Sequence, residues 1–418
     1  MEIEPPSRIA ILGAGPIGLE AALYARYLGY DVRVYERGVV AENLLRFGHV
    51  RLFSPFGMNR SSLALAAMSA QDPAWRPPAE DELLTAGEYA ERYLLPLARS
   101  DLLDGAIHER TEVLAVGRAG MRKGDALGDP ARAKQRFRLL LRDAAGERTE
   151  KARVVIDASG TYGNANWAGM GGIPAIGERD AAPHIEHGLP DILGQHRAHY
   201  EGRRVLVVGG GYSAATNVVA LAQLSDSAPQ THVTWVTRGE PAEGAGPLPL
   251  LPDDRLPERR RLAEAANRLA AGVHPRVAYL GGRWIDRIRY KPEAETFSIR
   301  LRGREREKLR VERVIANVGF RPDTAISDEL QVHRCYASDG PMRLAAALEG
   351  ATGADCLDQR SAGSESLITT EPNFYILGAK SYGRGSQFLI SVGLEQIRDL
   401  FALIGGRADL NLYATAAR

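Results

Sequence analysis

The stretch RIAILGAGPIG, residues Arg8–Gly18, decides the fold of this 418-residue chain. It joins a short apolar run of strand length to the pattern G-x-G-x-x-G, and apolar residues at helical spacing follow directly. A strand, a glycine turn and a helix in this order are typical of a βαβ unit that binds a dinucleotide. The first glycine permits a tight turn, the second lets the backbone approach a pyrophosphate, and the third lets helix and strand pack closely. We therefore predict that a dinucleotide contacts Gly13, Gly15, Pro16, Ile17 and Gly18.

An acidic residue follows the second predicted strand of this unit. Glu36 comes directly after Asp31–Tyr35, at the position where a carboxylate accepts hydrogen bonds from an adenosine ribose. We place Glu36 and its neighbour Arg37 in the same site, and the ligand should carry a free 2′-hydroxyl group. The alternative is a glycine-rich turn that binds nothing.

A second copy of the pattern begins near the middle of the chain. The apolar run Arg204–Val208 precedes GGGYSA, in which alanine replaces the third glycine; a methyl group is tolerated at that packing contact. Thr237 falls where Glu36 falls in the first copy, so no carboxylate repels a 2′-phosphate, and Arg238 is able to pair with one. This favours NADPH over NADH, with a solvated Arg238 as the alternative. The predicted contacts are Gly209, Gly211, Tyr212, Ser213, Ala214 and Arg238.

Two such sites, one with an acid and one with a base at the ribose position, resemble the two-dinucleotide-binding-domain flavoproteins. These include the glutathione- and thioredoxin-reductase-like proteins and the class B flavin-dependent monooxygenases of the N-hydroxylating and flavin-containing type. The resemblance implies an α/β fold with two Rossmann-like domains, in which a discontinuous FAD domain, 1–163 and 316–418, encloses an NAD(P)H domain, 200–313. Residues 164–199 are then a connecting segment. It also implies FAD in the first site and NADPH, or else NADH, in the second.

Five further segments resemble parts of these flavoproteins. Ile107–Val116 is similar to the strand whose backbone touches the FAD adenine, and Arg153–Gly160 to the strand and glycine turn that leave the FAD domain. Arg313–Asp323 is similar to the second strand and glycine turn of this kind in these flavoproteins. Asn373–Gly378 and the helix-like Gln387–Ile404 correspond to the last strand and to the helix whose N–H groups face the flavin N1–C2=O edge. By this resemblance FAD contacts Val113, Ser159, Gly160, Gly378, Gln387, Phe388 and Leu389.

The cysteines help to choose between the branches of this class. Reduction of a disulfide needs two nearby sulfurs, and the chain has only Cys335 and Cys356, neither beside a glycine turn. Monooxygenation needs no protein nucleophile. The resemblance to the class B enzymes gives Asn59 as the residue that hydrogen-bonds the flavin peroxide, with a turn-forming asparagine as the alternative. Lys380 lies beside the predicted flavin edge, where a cation stabilises anionic reduced flavin; a surface lysine is the alternative.

These inferences predict an FAD-dependent, NADPH-using monooxygenase that acts on a small soluble substrate and O2 through a C4a-(hydro)peroxyflavin. Hydride passes from NADPH to FAD, and the substrate is oxygenated at nitrogen, sulfur or a carbonyl carbon. The alternative is an NAD(P)H-dependent flavoprotein reductase that passes electrons to an external acceptor without a cysteine pair. A flavin-bound redox sensor is a third reading.

The composition limits the remaining partners. Lys and Arg total 53 against 52 Asp and Glu, and the net charge of +1 gives no overall attraction to nucleic acid or to an acidic membrane. No apolar run is long enough for a membrane helix and the first residues lack a secretion signal, so we expect a cytoplasmic protein. His184 and His187 are expected to be solvated in a loop, and no metal site is predicted. Assembly into a homo-oligomer is left open.

Overall fold

The computed structural model describes residues 2–242, 244–303, 305–349 and 356–416, without the side chain of Cys356. The chain divides into two compact units. The first comprises Met1–Gly48, Ser54–Asn164 and Phe320–Arg418, and the second comprises His49–Phe53 and Ala165–Gly319. Residues 165–199, predicted to form a connecting segment, group with the compact second unit.

The first unit contains a parallel and an antiparallel sheet. Its strands, numbered in chain order, are β1 (Arg8–Leu12), β2 (Asp31–Tyr35), β3 (Ile107–His108), β4 (Glu112–Arg118), β5 (Phe137–Asp143), β6 (Gly146–Ala152), β7 (Val154–Asp157) and β15 (Phe374–Ile376). The parallel sheet has the order β15-β7-β1-β2-β3, and the antiparallel sheet has the order β4-β5-β6. The helices are α1 (Pro16–Tyr27), α2 (Glu42–Arg46), α3 (Ser62–Gln71), α4 (Ala86–Tyr89), α5 (Leu95–Ala98), α6 (Ala131–Lys134), α11 (Met342–Glu349), α12 (Ile390–Ile404) and α13 (Leu412–Ala416), with a π-helical turn at Ala90–Leu94.

The second unit repeats this combination. Its strands are β8 (Arg204–Val208), β9 (His232–Val236), β10 (Val277–Leu280), β11 (Trp284–Lys291), β12 (Thr296–Arg302), β13 (Glu307–Val311) and β14 (Arg313–Ala316). The parallel sheet has the order β10-β9-β8-β14, and the antiparallel sheet has the order β11-β12-β13. The helices are α7 (Glu178–Ala181), α8 (Arg197–Tyr200), α9 (Tyr212–Ser227) and α10 (Pro257–Ala270). The predicted α/β class is confirmed.

The central strands of both parallel sheets follow the sequence closely. β1, β2 and β8 have the predicted bounds. β1 and β8 are apolar runs, typical of strands buried on both faces, that a glycine turn ends abruptly. The helices α1 and α9 start directly after the second glycine of each turn. Since the carboxyl ends of parallel strands share one edge of a sheet, both glycine turns lie where such sheets bind ligands.

The predicted strand Ile107–Val116 is wrong as a single element. β3 ends and β4 begins within this stretch, and the two strands belong to different sheets. The intervening turn includes Arg110 with φ of 51°, and the N–H group of Thr111 donates to the carbonyl of Glu36 at 2.8 Å. The stretch contains no glycine, proline, asparagine or aspartate to mark this turn, which is why the sequence does not reveal it.

The last long helix begins later than predicted. α12 starts at Ile390 instead of Gln387, because Leu389 has an extended backbone with φ of −116° and ψ of 148° and forms the N-cap. Gln387 and Phe388 therefore precede the helix. The Gln387 side chain accepts a hydrogen bond from Gln359 Nε2 at 2.9 Å.

Helix α1 buries a carboxyl group that the sequence analysis does not single out. Glu20 is 2% exposed, and its Oε1 atom has no hydrogen-bond partner among the residues described. Burial raises the pKa of Glu20 to about 7, although the neighbouring hydroxyls of Ser61 and Tyr413 oppose the increase. The folded protein therefore binds this proton more tightly than the unfolded chain does.

This burial predicts a pH-dependent effect of Glu20→Gln. The native pKa lies above the ordinary value of 4.5, so Glu20 costs no stability below pH 4.5, and the cost grows as pH rises through about 7. Above pH 7 the variant should have a free energy of unfolding higher than wild type by up to roughly 3 kcal/mol. Urea denaturation across this range measures the difference. Glu147→Gln on exposed β6 is the control, and a constant difference for Glu20→Gln at every pH would contradict the account.

Candidate functional site: two glycine turns

The first glycine turn is held against the loop that follows β7. Gly13 has φ of 96°, and its N–H group donates to the Tyr35 carbonyl at 2.8 Å. A Cβ atom on Gly13 would lie 2.8 Å from the Ala158 carbonyl oxygen and 2.9 Å from Ser159 Cα. Both the backbone conformation and the packing therefore require glycine.

The next glycines of this turn differ in what surrounds them. Gly15 is the N-cap of α1 with φ of −81° and ψ of −174°, and a Cβ atom there would meet no described atom within 4 Å. A Cβ atom on Gly18 would overlap the carbonyl oxygen of Gly13. Pro16 opens α1, and within the described chain no side chain caps this helix start. The turn thus leaves open space beside a helix N-terminus, as a phosphate requires.

The acidic residue of this unit has a fixed orientation. The Glu36 carboxylate accepts a hydrogen bond from the N–H group of Ala14 at 2.8 Å and another from that of Gly38 at 2.8 Å. A carboxylate has about four acceptor positions, so capacity for ribose hydroxyls is left. Arg37 is exposed, and one of its nitrogens lies 3.1 Å from where a Cβ atom on Gly163 would stand.

The second glycine turn repeats the geometry of the first in its own unit. Gly209 has φ of 142°, its N–H group donates to the Val236 carbonyl at 2.9 Å, and its Cβ atom would overlap the carbonyl oxygen of Asn317. The buried Trp235 indole donates to the Gly209 carbonyl at 2.8 Å. Gly211 is the N-cap of α9 with φ of −100° and ψ of 178°, and a Cβ atom there meets no described atom within 4 Å.

The start of α9 brings together the other predicted residues of this turn. The Tyr212 ring packs edge-on against Phe53 at 5.5 Å between centroids, and Ser213 is exposed. Ala214 is completely buried and lies under Gly209, whose Cβ atom would be 3.3 Å from that of Ala214. The methyl group therefore occupies the packing position of the third glycine.

The position that corresponds to Glu36 carries no charge in the second unit. The hydroxyl of Thr237 donates to the Gly239 carbonyl at 2.8 Å and is 2.7 Å from the Tyr279 hydroxyl. Arg238 is exposed, and its guanidinium makes no ion pair or hydrogen bond with any described residue. A cation is thus available at the end of β9.

Lys380 is not a surface residue. Its side chain is 4% exposed, its Nζ atom lies 2.7 Å from Asp157 Oδ2, and it donates to Ser159 Oγ at 3.0 Å. Ser159 Oγ in turn donates to Asp157 Oδ1 at 2.6 Å. The carboxylate neutralises the lysine, so the predicted role of Lys380 as a cation beside the flavin finds no support in its contacts. Asp157 is the residue that sequence reasoning missed, because its partner is more than two hundred positions away.

The last strand, β15, and the turn that follows it lie at the carboxyl edge of the parallel sheet in the first unit. Gly378 has φ of 72°, a Cβ atom there would lie 3.3 Å from Ile17, and its N–H group donates to Gln396 at 3.0 Å. Ile17 of the first turn and Gly378 are therefore neighbours. Gly160 follows Ser159 with φ of 69° and open space around its Cβ position.

Two residues that the sequence analysis assigns to the flavin site are placed differently. Val113 lies away from the carboxyl edge of the parallel sheet, and the Asn59 side chain is hydrogen-bonded within its own turn. Val113 pairs with Leu141 in the antiparallel sheet, where β4 is an edge strand, and it packs on the apolar core. The Asn59 side chain is buried and folds back on its own turn, donating to the Ser54 and Pro55 carbonyls, each at 3.2 Å. These contacts agree with the turn-forming alternative for Asn59.

Within the described residues no group of histidine, cysteine or acidic side chains is arranged to hold a metal ion. His184 stacks on Tyr290 with 3.8 Å between ring centroids, and His187 Nδ1 lies 3.1 Å from the Ala316 carbonyl oxygen. His184 is exposed, as expected, although it stacks on a ring, whereas His187 is half-buried. Hydrogen bonds from Ser338 lower the pKa of the Cys335 thiol, and the side chain of Cys356 lies outside the described residues.

No protein family model matches the chain. Solved structures of the same fold cover nearly all of it. A bacillithiol disulfide reductase from Bacillus cereus has a TM-score of 0.67 and 19% identity over 96% of this chain and 99% of that one. The FAD-bound cadaverine monooxygenase of desferrioxamine biosynthesis from Erwinia amylovora has a TM-score of 0.64 and 15% identity over 96% and 94%. An ornithine N-hydroxylase from Kutzneria sp. 744 has a TM-score of 0.56 and 16% identity over 97% and 100%.

These similarities confirm the fold that the sequence predicts, that of the two-dinucleotide-binding flavoproteins. Both branches named from the sequence, the disulfide reductases and the N-hydroxylating monooxygenases, are among the similar structures. The two branches match with nearly equal TM-scores, 0.67 and 0.64. The choice of reaction therefore depends on the residues of this chain.

The open glycines predict a crossed result for two substitutions. Gly15→Val and Gly211→Val add a side chain where no described atom lies within 4 Å, so both variants, freed of ligands, should have the thermal midpoint of ligand-free wild type. Gly15→Val should lose the flavin and still bind NADPH, whereas Gly211→Val should retain the flavin and lose NADPH, each by at least about tenfold. Flavin absorbance and calorimetric NADPH titration measure the two affinities. Each variant controls for the other, and loss of both ligands in both variants would refute the assignment.

Proposed function

We propose that the chain is an NADPH-dependent flavoprotein oxidoreductase, with FAD at the first glycine turn and NADPH at the second. The pair Gly15 and Gly211 supports this most directly. Each has an extended backbone and open space at its Cβ position, so neither conformation nor packing requires glycine there. A pyrophosphate that approaches the main chain does require it.

The first unit offers FAD several kinds of contact. The N–H groups at the start of α1 would hold the pyrophosphate, and the fixed Glu36 carboxylate would accept hydrogen bonds from the adenosine ribose. The start of α12 has no side-chain cap at Leu389, so the positive end of its dipole would stabilise negative charge on the reduced flavin. We further propose FAD contacts for Arg37, Ser159, Gly160, Gly378, Gln387 and Phe388.

The second unit favours NADPH over NADH. Thr237 presents no carboxylate at the ribose position, and the exposed Arg238 would pair with the 2′-phosphate through its guanidinium. The N–H groups at the start of α9, together with Gly209 and Gly211, would hold the pyrophosphate.

We propose that the reaction is a monooxygenation of a small soluble substrate. NADPH, a proton, O2 and the substrate give NADP+, the oxygenated substrate and water, with one oxygen atom entering at nitrogen, sulfur or a carbonyl carbon. Bound FAD supplies the redox chemistry, first as hydride acceptor and then as the reductant of oxygen. The protein contributes binding, orientation and the exclusion of water.

The cysteine content supports oxygenation over disulfide reduction. Thiol–disulfide exchange between protein and substrate needs two nearby sulfurs, and this chain has two cysteines in all, Cys335 and Cys356. Neither follows a glycine turn in the sequence. A mechanism that uses no protein sulfur is therefore the simpler one for this chain.

A reductase that passes electrons to an external acceptor is the second candidate. The contacts of Asn59 and Lys380 favour it, because the Asn59 amide is bonded to its own turn and the Lys380 ammonium is paired with Asp157. Such a reductase needs neither a hydrogen bond to an oxygenated flavin nor a cation beside it.

Arg238→Ser tests the nucleotide preference. Removal of the guanidinium should raise KM for NADPH about tenfold and leave KM for NADH unchanged, because only NADPH carries the 2′-phosphate. Steady-state oxidation of each nucleotide gives the two constants. Arg203→Ser, at the amino end of β8 and hence at the opposite edge of the same sheet, is the matched control. An equal effect of Arg238→Ser on both nucleotides would show that the 2′-phosphate binds elsewhere.

The reaction of the reduced protein with oxygen tests the monooxygenase proposal. Protein reduced by NADPH without oxygen should show, on mixing with O2, a transient spectrum that belongs to neither reduced nor oxidised flavin. With a panel of small amines and thioethers, at least one product should contain labelled oxygen derived from O2. Direct return to the oxidised spectrum, hydrogen peroxide in place of product and rapid turnover with a quinone would establish the reductase.

A further inference from the structure

The outward face of the sheet β11-β12-β13 in the second unit is strongly basic. Residues alternate along these strands between buried apolar side chains and exposed polar ones. Most of the outward positions hold cations; the others are Trp284, Asp286 at a bulge, Thr296 and Ser298, and Asp286 is the one described carboxylate among them. The basic sheet face consists of Arg287, Arg289, Lys291, Arg300, Arg302, Lys308 and Arg310.

The register places like charges directly opposite one another. Arg287 pairs with Arg300, and Arg300 pairs with Lys308, so one row across the three strands is entirely cationic. The next row contains Arg289, Ser298 and Arg310. Like charges at opposed positions destabilise a sheet. These opposed cations therefore destabilise the sheet, and the packing of the unit gives no reason for their presence.

Few acids neutralise this face. Asp286 lies 2.5 Å from Arg300 and 3.0 Å from Arg302, both measured to the guanidinium Nε. The remaining cations have no carboxylate within 4.0 Å among the described residues. These are Arg287, Arg289, Lys291, Lys308 and Arg310.

The corresponding sheet of the first unit provides an internal comparison. The outward face of β4-β5-β6 also carries three cations, Arg138, Arg142 and Lys151, but they share it with Glu112 and Glu147. Arg142 and Glu112 form an ion pair at 2.6 Å. Two antiparallel sheets of the same size in one chain thus differ sharply in charge, so the basic sheet face is not a general property of the fold.

An exposed apolar side chain flanks the cations on the same face. Residues 175–177 run beside the free edge of β11, where Ile176 forms a parallel bridge with Arg287. Bridged residues point to the same side of a sheet, and Ile176 is 53% exposed. Met170 and Ile173, which come shortly before residues 175–177 in the chain, are 54% and 68% exposed.

We propose that the basic sheet face docks on a bilayer surface rich in anionic phospholipid. Anionic head groups would neutralise the cations, and Ile176 would enter the boundary between head groups and acyl chains. Nucleic acid fits less well, because the one outward ring of these three strands, Trp284 opposite Arg302, is partly buried, and the other outward positions hold no aromatic side chain for stacking on bases. No helix among the described residues is long and apolar enough to span a membrane, so docking would be peripheral.

Vesicle co-sedimentation of the full chain tests the proposal. We expect binding to vesicles of equal parts phosphatidylcholine and phosphatidylglycerol at low ionic strength, and little binding to phosphatidylcholine alone. Added salt should weaken the binding, because it screens exposed charges. Each basic residue near an anionic bilayer adds about fivefold to the partition coefficient.

The matched variants are two triple substitutions with the same change of charge. Arg289→Gln, Lys291→Gln and Arg310→Gln together should lower the partition coefficient about a hundredfold. Arg138→Gln, Arg142→Gln and Lys151→Gln, on the outward face of the first unit's sheet, should leave it within about twofold. Ile176→Ser should weaken binding in a way that salt does not alter. Thermal unfolding confirms that each variant is folded.

Three outcomes would overturn the proposal. One is that wild type does not bind the anionic vesicles at low ionic strength. Another is that both triple variants lose binding equally. The third is that the face binds duplex DNA or an acidic polypeptide such as polyglutamate while it ignores the vesicles, which would assign it to a different partner.

Discussion

Both parallel sheets depend on one close approach, in which a glycine after the first strand lies against the backbone that follows a neighbouring strand. Gly13 meets Ala158 in this way, and Gly209 meets Asn317. A side chain at either glycine would force the ends of adjacent strands apart, and both glycines have positive φ. At the second glycine of each turn, Gly15 and Gly211, neither the backbone conformation nor the packing requires glycine. This contrast within a turn separates the glycines that the fold needs from those that a ligand needs.

Much of this architecture could be predicted from the sequence. β1 and β8 are short apolar runs that end at glycine, and β2 alternates polar and apolar residues before Glu36, so their positions and type follow from the local sequence. The errors lie where local pattern and tertiary contacts disagree. The stretch Ile107–Val116 contains no glycine or proline to interrupt a strand, yet a turn that hydrogen-bonds to Glu36 divides it between two sheets. The sequence pattern predicts the start of α12 at Gln387, before its actual start at Ile390. Leu389 has an extended backbone, and its neighbours in sequence do not indicate this.

The charged residues were the hardest to interpret from sequence, because their partners are distant along the chain. Lys380 can be read as a surface residue or as a flavin contact until the fold brings Asp157 within 2.7 Å. Glu20 occupies an ordinary helix position until burial raises its pKa to about 7. The net charge of +1 averages over the chain and hides a sheet face on which cations oppose cations. The charge of a given surface therefore has to be judged from the residues on that surface and not from the net charge of the chain.

The central claim is that one polypeptide holds two dinucleotides and passes hydride from the nicotinamide to the flavin. Titration of the purified protein with NADPH in the absence of oxygen, followed by its visible spectrum, tests this most directly. The account predicts a yellow protein with one FAD per chain, whose absorbance bleaches completely with one equivalent of NADPH. A colourless protein that cannot be reconstituted with FAD, or a flavin spectrum that neither NADPH nor NADH changes, would contradict it.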